Sequence, residues 1–96
     1  MEPTVRNAPE QNRYEIRDGD RVLGVAAYRR DGERVVFLHT EVDSDAGVPG
    51  LGGTLVRSAL DDVRAQGLRV VPICPFVGGW IERHPEYREL VDQSDR

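Results

Sequence analysis

The amino-acid sequence predicts an α/β domain with a mainly antiparallel sheet of four strands, one main helix and a short C-terminal helix. Its first half alternates apolar and polar residues between tight-turn signals, which is typical of an antiparallel meander. A stretch with helical spacing follows, and then a short apolar run. With 96 residues, the chain is long enough for one hydrophobic core and too short for two.

Three strands are predicted before residue 43. Residues 13–17 alternate around two apolar positions, and the turn signal Asp18-Gly19-Asp20 leads to an apolar stretch at 22–28. A second turn signal, Asp31-Gly32, precedes the β-branched and aromatic segment 34–42. Tight turns between consecutive strands indicate antiparallel pairing.

Strict alternation in segment 34–42 predicts how its side chains divide between the two faces of the sheet. One face is expected to carry Val35, Phe37, His39 and Glu41, and the other Val36, Leu38, Thr40 and Val42. Residues 1–11 contain two prolines and show no periodicity. We therefore expect a loose N-terminal arm there, followed by a single domain over residues 12–96.

From residue 51 the apolar positions follow the period of one helical face. These positions are Leu51, Leu55, Val56, Ala59, Leu60 and Val63. Gly67 is expected to cap the helix, and residues 68–73 to form a fourth, buried strand. Residues 75–79 are expected to break regular structure before a short helix at 80–83, with 86–91 a candidate for its continuation.

Composition and charge limit the partners. There are 13 basic and 17 acidic residues, for a net charge of -4, and neither half of the chain has a basic surplus, so nucleic acid is not expected as a partner. The single cysteine, Cys74, excludes an internal disulfide and a cysteine-based zinc site and suggests a reducing compartment. No apolar leader opens the chain, and its longest uncharged run, 70–81, is too short to span a bilayer. We expect a cytoplasmic protein without membrane or metal partners.

A glycine-rich segment at 47–54 joins the third predicted strand to the helix. Glycines at a helix start let backbone amides approach an anion, and the free N–H groups and the positive dipole end there favour phosphate. A plain flexible connection explains the same composition equally well. The spacing excludes two known phosphate loops: no Gly-Lys-Ser/Thr ending follows, and Gly50-Leu51-Gly52 lacks the third glycine of the dinucleotide fingerprint.

Several strings together resemble the GCN5-related N-acetyltransferases, and in particular their small, truncated branch often called the YjdJ type. The strings are Phe37-Leu38-His39-Thr40-Glu41-Val42, Gly50-Leu51-Gly52, Leu55-Val56 with Ala59-Leu60, Val70 to Val77, Trp80-Ile81 and Arg83 to Tyr87. The similarity extends from Asn12 to Tyr87. In combination these strings are far more specific than the glycine segment alone.

The resemblance implies a truncated acyl-CoA N-acyltransferase fold and transfer of an acetyl group from acetyl-CoA to an acceptor amine. The coenzyme A pyrophosphate would lie on the amides of Gly50, Leu51, Gly52, Gly53 and Thr54. The pantetheine arm would lie between the splayed strands 34–42 and 68–73, beside Val42 and Cys74. Two positions depart from the family loop: Gly47 replaces a long polar residue, and Pro49 removes one amide donor.

Three residues are candidates for catalysis: Cys74 from the resemblance, and His39 and Glu41 from the strand face that they are predicted to share. In this branch Cys74 is similar to a residue proposed to face the acetyl thioester, where a thiolate would accept the acetyl group. The alternative is a small buried hydrophobic residue. His39 and Glu41 are candidates for the base that deprotonates the amine, directly or through a water. A structural histidine and a solvated carboxylate are equally compatible with the sequence.

Two other functions stay open at the level of sequence. The resemblance to the truncated branch implies that the N-terminal elements with which larger members of the family build an acceptor pocket are not expected here. The chain is therefore also compatible with a non-catalytic module that binds or senses coenzyme A or acyl-CoA. An interaction domain with a vestigial site is the third alternative. The sequence does not identify the acceptor.

Overall fold

The computed structural model describes residues 3–92 as a five-stranded sheet with its helices packed on one face. The strands are β1 (Thr4–Ala8), β2 (Arg13–Asp18), β3 (Arg21–Asp31), β4 (Arg34–Val42) and β5 (Arg69–Pro72), and they pair in chain order. The helices are α1 (Leu51–Ala65) and α2 (Pro75–Arg83), with short 3-10 helices at Pro9–Gln11, Ser44–Ala46 and Pro85–Leu90. The first four strands are antiparallel, and β5 joins β4 in parallel. The α/β class and the mainly antiparallel sheet are confirmed.

β1 corrects the expectation of a loose arm over residues 1–11. This strand pairs with β2 along its whole length, Val5 packs against the core, and the Tyr28 hydroxyl donates to Oδ1 of Asn7 at 2.6 Å. The prolines Pro3 and Pro9 lie just outside the strand, where no ladder donor is required. The sheet therefore has one more strand than expected. Residues 1, 2 and 93–96, which also belong to the predicted arm and domain, lie outside the described residues.

α1 confirms the helical period read from the sequence. It buries Leu51, Gly52, Leu55, Val56, Ala59, Leu60 and Val63 against the sheet. Gly67 follows the helix in the left-handed conformation, with φ +72°, and the amide of Leu68 donates to the carbonyl of Val63 at 3.1 Å. This hydrogen-bonded ending is the glycine cap that the sequence predicts.

α2 begins earlier than predicted, and the expected break at 75–79 is wrong. Pro75 occupies the first turn, where a helix needs no N–H donor, and the amide of Gly78 already donates to the carbonyl of Cys74 at 3.0 Å. α2 lies beside α1, as shown by the Arg57 guanidinium, which lies over the Trp80 ring at 5.3 Å from its centroid. The two helices thus form one layer on one face of the sheet.

An aromatic cluster joins this helical layer to the sheet. Tyr14, Tyr28 and Phe37 have ring centroids 5.4 to 6.2 Å apart. The Tyr14 hydroxyl donates to Asp62 of α1 at 2.6 Å. Burial, followed by that hydrogen bond and the charge of Asp62, raises the pKa of Tyr14. The opposite face of the sheet has no helix over it among the described residues.

Candidate functional site

β4 and β5 pair over four positions and then separate. Their register runs from Arg34 opposite Arg69 to Phe37 opposite Pro72, after which the amide of Cys74 donates to the carbonyl of Phe37 at 2.9 Å. Residues 38–42 continue to pair with β3 but have no ladder partner on the β5 side within the described part of the chain. Pro72 ends β5 at this point, consistent with its missing N–H donor. We call the opening between residues 38–42 and 73–76 the strand fork.

The strand fork is apolar. All four large hydrophobic side chains that are exposed in the described chain border it: Leu38, Val42, Ile73 and Phe76. Ile73 is the most exposed of them, at 59%. A concentrated set of exposed apolar side chains beside unpaired strand backbone is typical of a binding groove.

The N-terminus of α1 lies beside the fork. Gly50 precedes the helix with φ +74° and no side-chain cap, and the amide of Thr54 donates to the Gly50 carbonyl at 3.0 Å. The amides of Leu51, Gly52 and Gly53 consequently have no intrahelical acceptor. Gly47, where the family loop has a long polar residue, has φ +70° and ends the preceding 3-10 helix. The helix start therefore offers unpaired backbone donors to an anion.

Phe76 connects this helix start to the fork, a role that the sequence did not reveal. A Cβ atom at Gly52 would lie 2.6 Å from Cζ of Phe76, so only glycine permits this approach without rearrangement. Phe76 is the second residue of α2 and is far from Gly52 in sequence. Only the crossover from β4 through α1 to β5 brings the two residues together.

A β-bulge in β4 changes the predicted faces of the strand. Ala27 of β3 is opposite His39, while its neighbour Tyr28 is opposite Phe37. Leu38 is therefore the extra residue of the ladder. A single inserted residue reverses the alternation of the side chains that follow it.

The predicted grouping of His39 and Glu41 with Phe37 is consequently wrong. Thr40 is opposite Ala26, which belongs to the core beneath the helices together with Phe37. His39 and Glu41 project from the other, open face. They do share that face, as predicted, because the bulge precedes both.

His39 and Glu41 form an exposed pair at the fork. Nε2 of His39 lies 2.9 Å from Oε2 of Glu41, and the side chains are 60% and 71% exposed. A cleft of about 280 Å³ adjoins Glu41 and is lined by residues 22–25 and 41–43. Half-buried Val25 and Ala27 form the neighbouring surface of β3. The pair can therefore meet a ligand that approaches from the open face.

Cys74 lies on the opposite side of the sheet from that pair. Its side chain is 3% exposed, and its Sγ is 3.4 Å from Oγ1 of Thr40. The structure therefore brings Cys74 together with Thr40, which the sequence did not single out, and separates it from His39 and Glu41. Because the bulge places Thr40 on the core side, no local pattern predicts this contact.

The family of the chain follows from comparison with known proteins. A family model described as GCN5-related N-acetyl-transferase matches residues 13–90. The chain belongs to this family. Family membership supports a transferase, and the predicted resemblance to that superfamily is confirmed. Its placement in the truncated branch stays a prediction.

A solved structure has a similar fold. The NMR solution structure of a GCN5-like protein from Staphylococcus aureus has a TM-score of 0.69 and 20% sequence identity, over 97% of this chain and 94% of that one. At that identity the similarity establishes the fold alone. Among curated proteins, none matches the chain.

Residues 3–92 contain neither a candidate membrane-spanning helix nor a candidate metal site. None of the helices described there combines the length and apolar character needed to cross a bilayer. No group of three or more histidine, cysteine, aspartate or glutamate side chains in that range is arranged to hold a metal ion.

Proposed function

We propose that the protein transfers an acetyl group from acetyl-CoA to an amine that approaches the open face of the sheet. One observation carries the proposal: the fork between β4 and β5 opens beside a helix N-terminus with unpaired amides. An apolar groove and an anion site in continuity suit a ligand that combines a phosphate-bearing end with a long, thin arm.

The residues of the helix start and those of the fork would bind different parts of coenzyme A. The amides of Leu51, Gly52 and Gly53 are the donors for the pyrophosphate, with Gly50 and Thr54 at either end of this turn. Val42 and Phe76 supply apolar contact for the pantetheine arm. Since residues 38–42 lack a β5 partner, their free backbone edge is suited to the amide groups of that arm.

Direct transfer is the mechanism that the arrangement supports. The amine approaches from the open face, because helices cover the other side of the fork. Its nitrogen attacks the thioester carbonyl carbon, the new C–N bond forms, and the C–S bond breaks. The amine proton passes to Glu41, directly or through His39, and the sulfur leaves as a thiolate that takes up a proton to give the coenzyme A thiol.

We assign Cys74 to the wall of the thioester site rather than to nucleophilic attack. Cys74 is buried, at 3% exposure, and its sulfur is hydrogen-bonded to the Thr40 hydroxyl at 3.4 Å. A hydroxyl is a poor general base, whereas nucleophilic thiols are normally activated by a nearby base or cation. The histidine and carboxylate of the site lie across the sheet.

Thiol release from acetyl-CoA in the presence of amines tests the proposal. We expect release that depends on the amine, with formation of an equal amount of acetylated amine by mass spectrometry, and loss of release in Glu41→Gln. The matched control is Glu82→Gln, an exposed residue of α2. Binding of coenzyme A by calorimetry without thiol release for any amine would instead support a sensing module. Absence of binding would contradict both.

A further inference from the structure

The open face of the sheet carries a second charged group, two strands away from His39 and Glu41. Arg6, Arg13 and Arg17 surround the carboxylate of Glu15, with contacts of 3.9, 2.8 and 3.5 Å. We call these four residues the arginine cluster. Three arginines around one carboxylate leave a surplus of two positive charges. The surplus is local, since the whole chain has a net charge of -4.

The strand registers align the arginine cluster with the proposed base, with β3 between them. Arg13 is opposite Ala27, which is opposite His39. In the next row Glu15 is opposite Val25, which is opposite Glu41. Two strand spacings separate the members of each row, about 10 Å. The open face is thus basic at one end and acidic at the other, with small apolar residues between.

The guanidinium groups of the cluster have unused hydrogen-bonding capacity. The side chain of Glu15 is only 5% exposed, so a ligand cannot reach its carboxylate. The side chains of Arg6 and Arg13 are 56% and 34% exposed, so a ligand can reach their guanidinium groups. Arg13 contacts Oε2 of Glu15 through Nε at 2.9 Å and Nη2 at 2.8 Å, which leaves its Nη1 for a ligand. Arg17 holds its buried Nε 3.5 Å from Glu15, while its side chain is 25% exposed. A planar guanidinium with free N–H groups is a preferred partner of a carboxylate.

We propose that the acceptor is a small amine that also carries a carboxylate about 10 Å from its nitrogen, the span of an extended tripeptide from its N-terminal amine to its C-terminal carboxylate. The amine lies at His39 and Glu41, the carboxylate at Arg13 and Arg17, and the chain between them crosses Val25 and Ala27. This inference rests on the proposed acetyl transfer and specifies its acceptor class.

Triglycine and triglycinamide form a matched pair of probes, because they differ only in whether the C-terminal group is charged. We expect kcat/KM for triglycine to exceed that for triglycinamide by about tenfold, the effect of one charge-assisted hydrogen-bonding contact. In Arg13→Gln the ratio should fall to near one. In Arg88→Gln, an exposed arginine on the helical side, it should keep the wild-type value. Arg13→Lys should retain part of the preference, since it keeps the charge without the planar fork.

Arg17→Gln provides a second variant in case loss of Arg13 beside buried Glu15 prevents folding, and circular dichroism melting of each variant checks this. Equal turnover of the two probes by the wild-type protein, or faster turnover of an alkyl diamine of similar length, would overturn the inference while leaving acetyl transfer in place. Failure of every amine to release thiol would contradict the proposed function itself. The two failures are therefore distinguishable.

Discussion

The two halves of β4 are continuous in sequence but have different surroundings. Residues 34–37 pair with β3 on one side and β5 on the other, and Val35, Val36 and Phe37 are at most 3% exposed. Residues 38–42 pair with β3 alone, and none of them is buried. The first half contributes to the core, whereas the second leaves its backbone and side chains available to a ligand.

This difference shows how a small domain can combine stability with a binding groove. A sheet normally satisfies the N–H and C=O groups on both edges of an internal strand. Here β5 ends at Pro72 and the chain turns into α2, so one edge of the second half of β4 stays open. The groove therefore forms inside the sheet, as a continuation of the first half of the same strand, which is paired on both edges.

Truncating one apolar side chain in each half of β4 should give the largest difference in stability between the two halves. Phe37 is 1% exposed and adjacent Leu38 is 42% exposed. We expect Phe37→Ala to lower the free energy of unfolding by about 3 to 5 kcal/mol and Leu38→Ala by about 0.5 kcal/mol. Chemical denaturation of both variants measures this difference. Similar losses for the two would mean that the fork is packed rather than open.

Removal of the proposed base should affect turnover without affecting folding. Because Glu41 is 71% exposed, Glu41→Gln should change the free energy of unfolding by no more than about 0.5 kcal/mol. The same variant should lower kcat by about a hundredfold, the usual contribution of general base catalysis. Steady-state kinetics beside the Glu82→Gln control checks this expectation. Unchanged kcat would exclude Glu41 as the base.

A negative charge at the helix start should weaken coenzyme A binding without lowering the stability of the fold. Thr54 is exposed in the first turn of α1. A carboxylate there interacts favourably with the helix dipole and stabilises the fold by about 0.3 to 1 kcal/mol. Thr54→Glu should therefore keep or raise the melting temperature. Its repulsion of the pyrophosphate should weaken coenzyme A binding by about tenfold relative to Thr54→Gln. Equal calorimetric affinities for the two variants would place the phosphates elsewhere.

The smallest effect on turnover is expected for Cys74→Ala. If transfer is direct, the variant should still bind coenzyme A and keep turnover of the same order as the wild type. Brief exposure of the wild type to acetyl-CoA should add no acetyl mass to the peptide that contains Cys74. An acetyl adduct that amines discharge at the turnover rate would instead make this cysteine the nucleophile.

The sequence predicted the elements whose signals are local. The period of α1 and its cap at Gly67 depend on neighbouring residues, and both are confirmed. The sequence pattern does not predict β1, because prolines normally interrupt strands, whereas Pro3 and Pro9 only delimit this one. In α2, Pro75 predicts a break when only local sequence is considered, but its position at the helix start is compatible with a helix.

The candidate site was less predictable because it depends on strand register. Alternation along β4 has no visible irregularity at Leu38, and the bulge there exists only relative to β3. It moves His39 and Glu41 to the open face and Thr40 toward Cys74. The arginine cluster was not predicted either, because β1, which contributes Arg6, was not recognised as a strand.

The C-terminal end of the described chain has a consequence for self-association. Val91 forms a bridge with Val70, and the amide of Asp92 donates to the Val70 carbonyl at 2.9 Å. This segment covers the outer edge of β5, which would otherwise be a template for another strand. At the opposite edge, β1 is a short strand that carries the charge of Arg6, a common deterrent to edge-to-edge pairing. Both margins of the sheet are thereby protected against ordered aggregation, although one internal strand has an open edge at the fork.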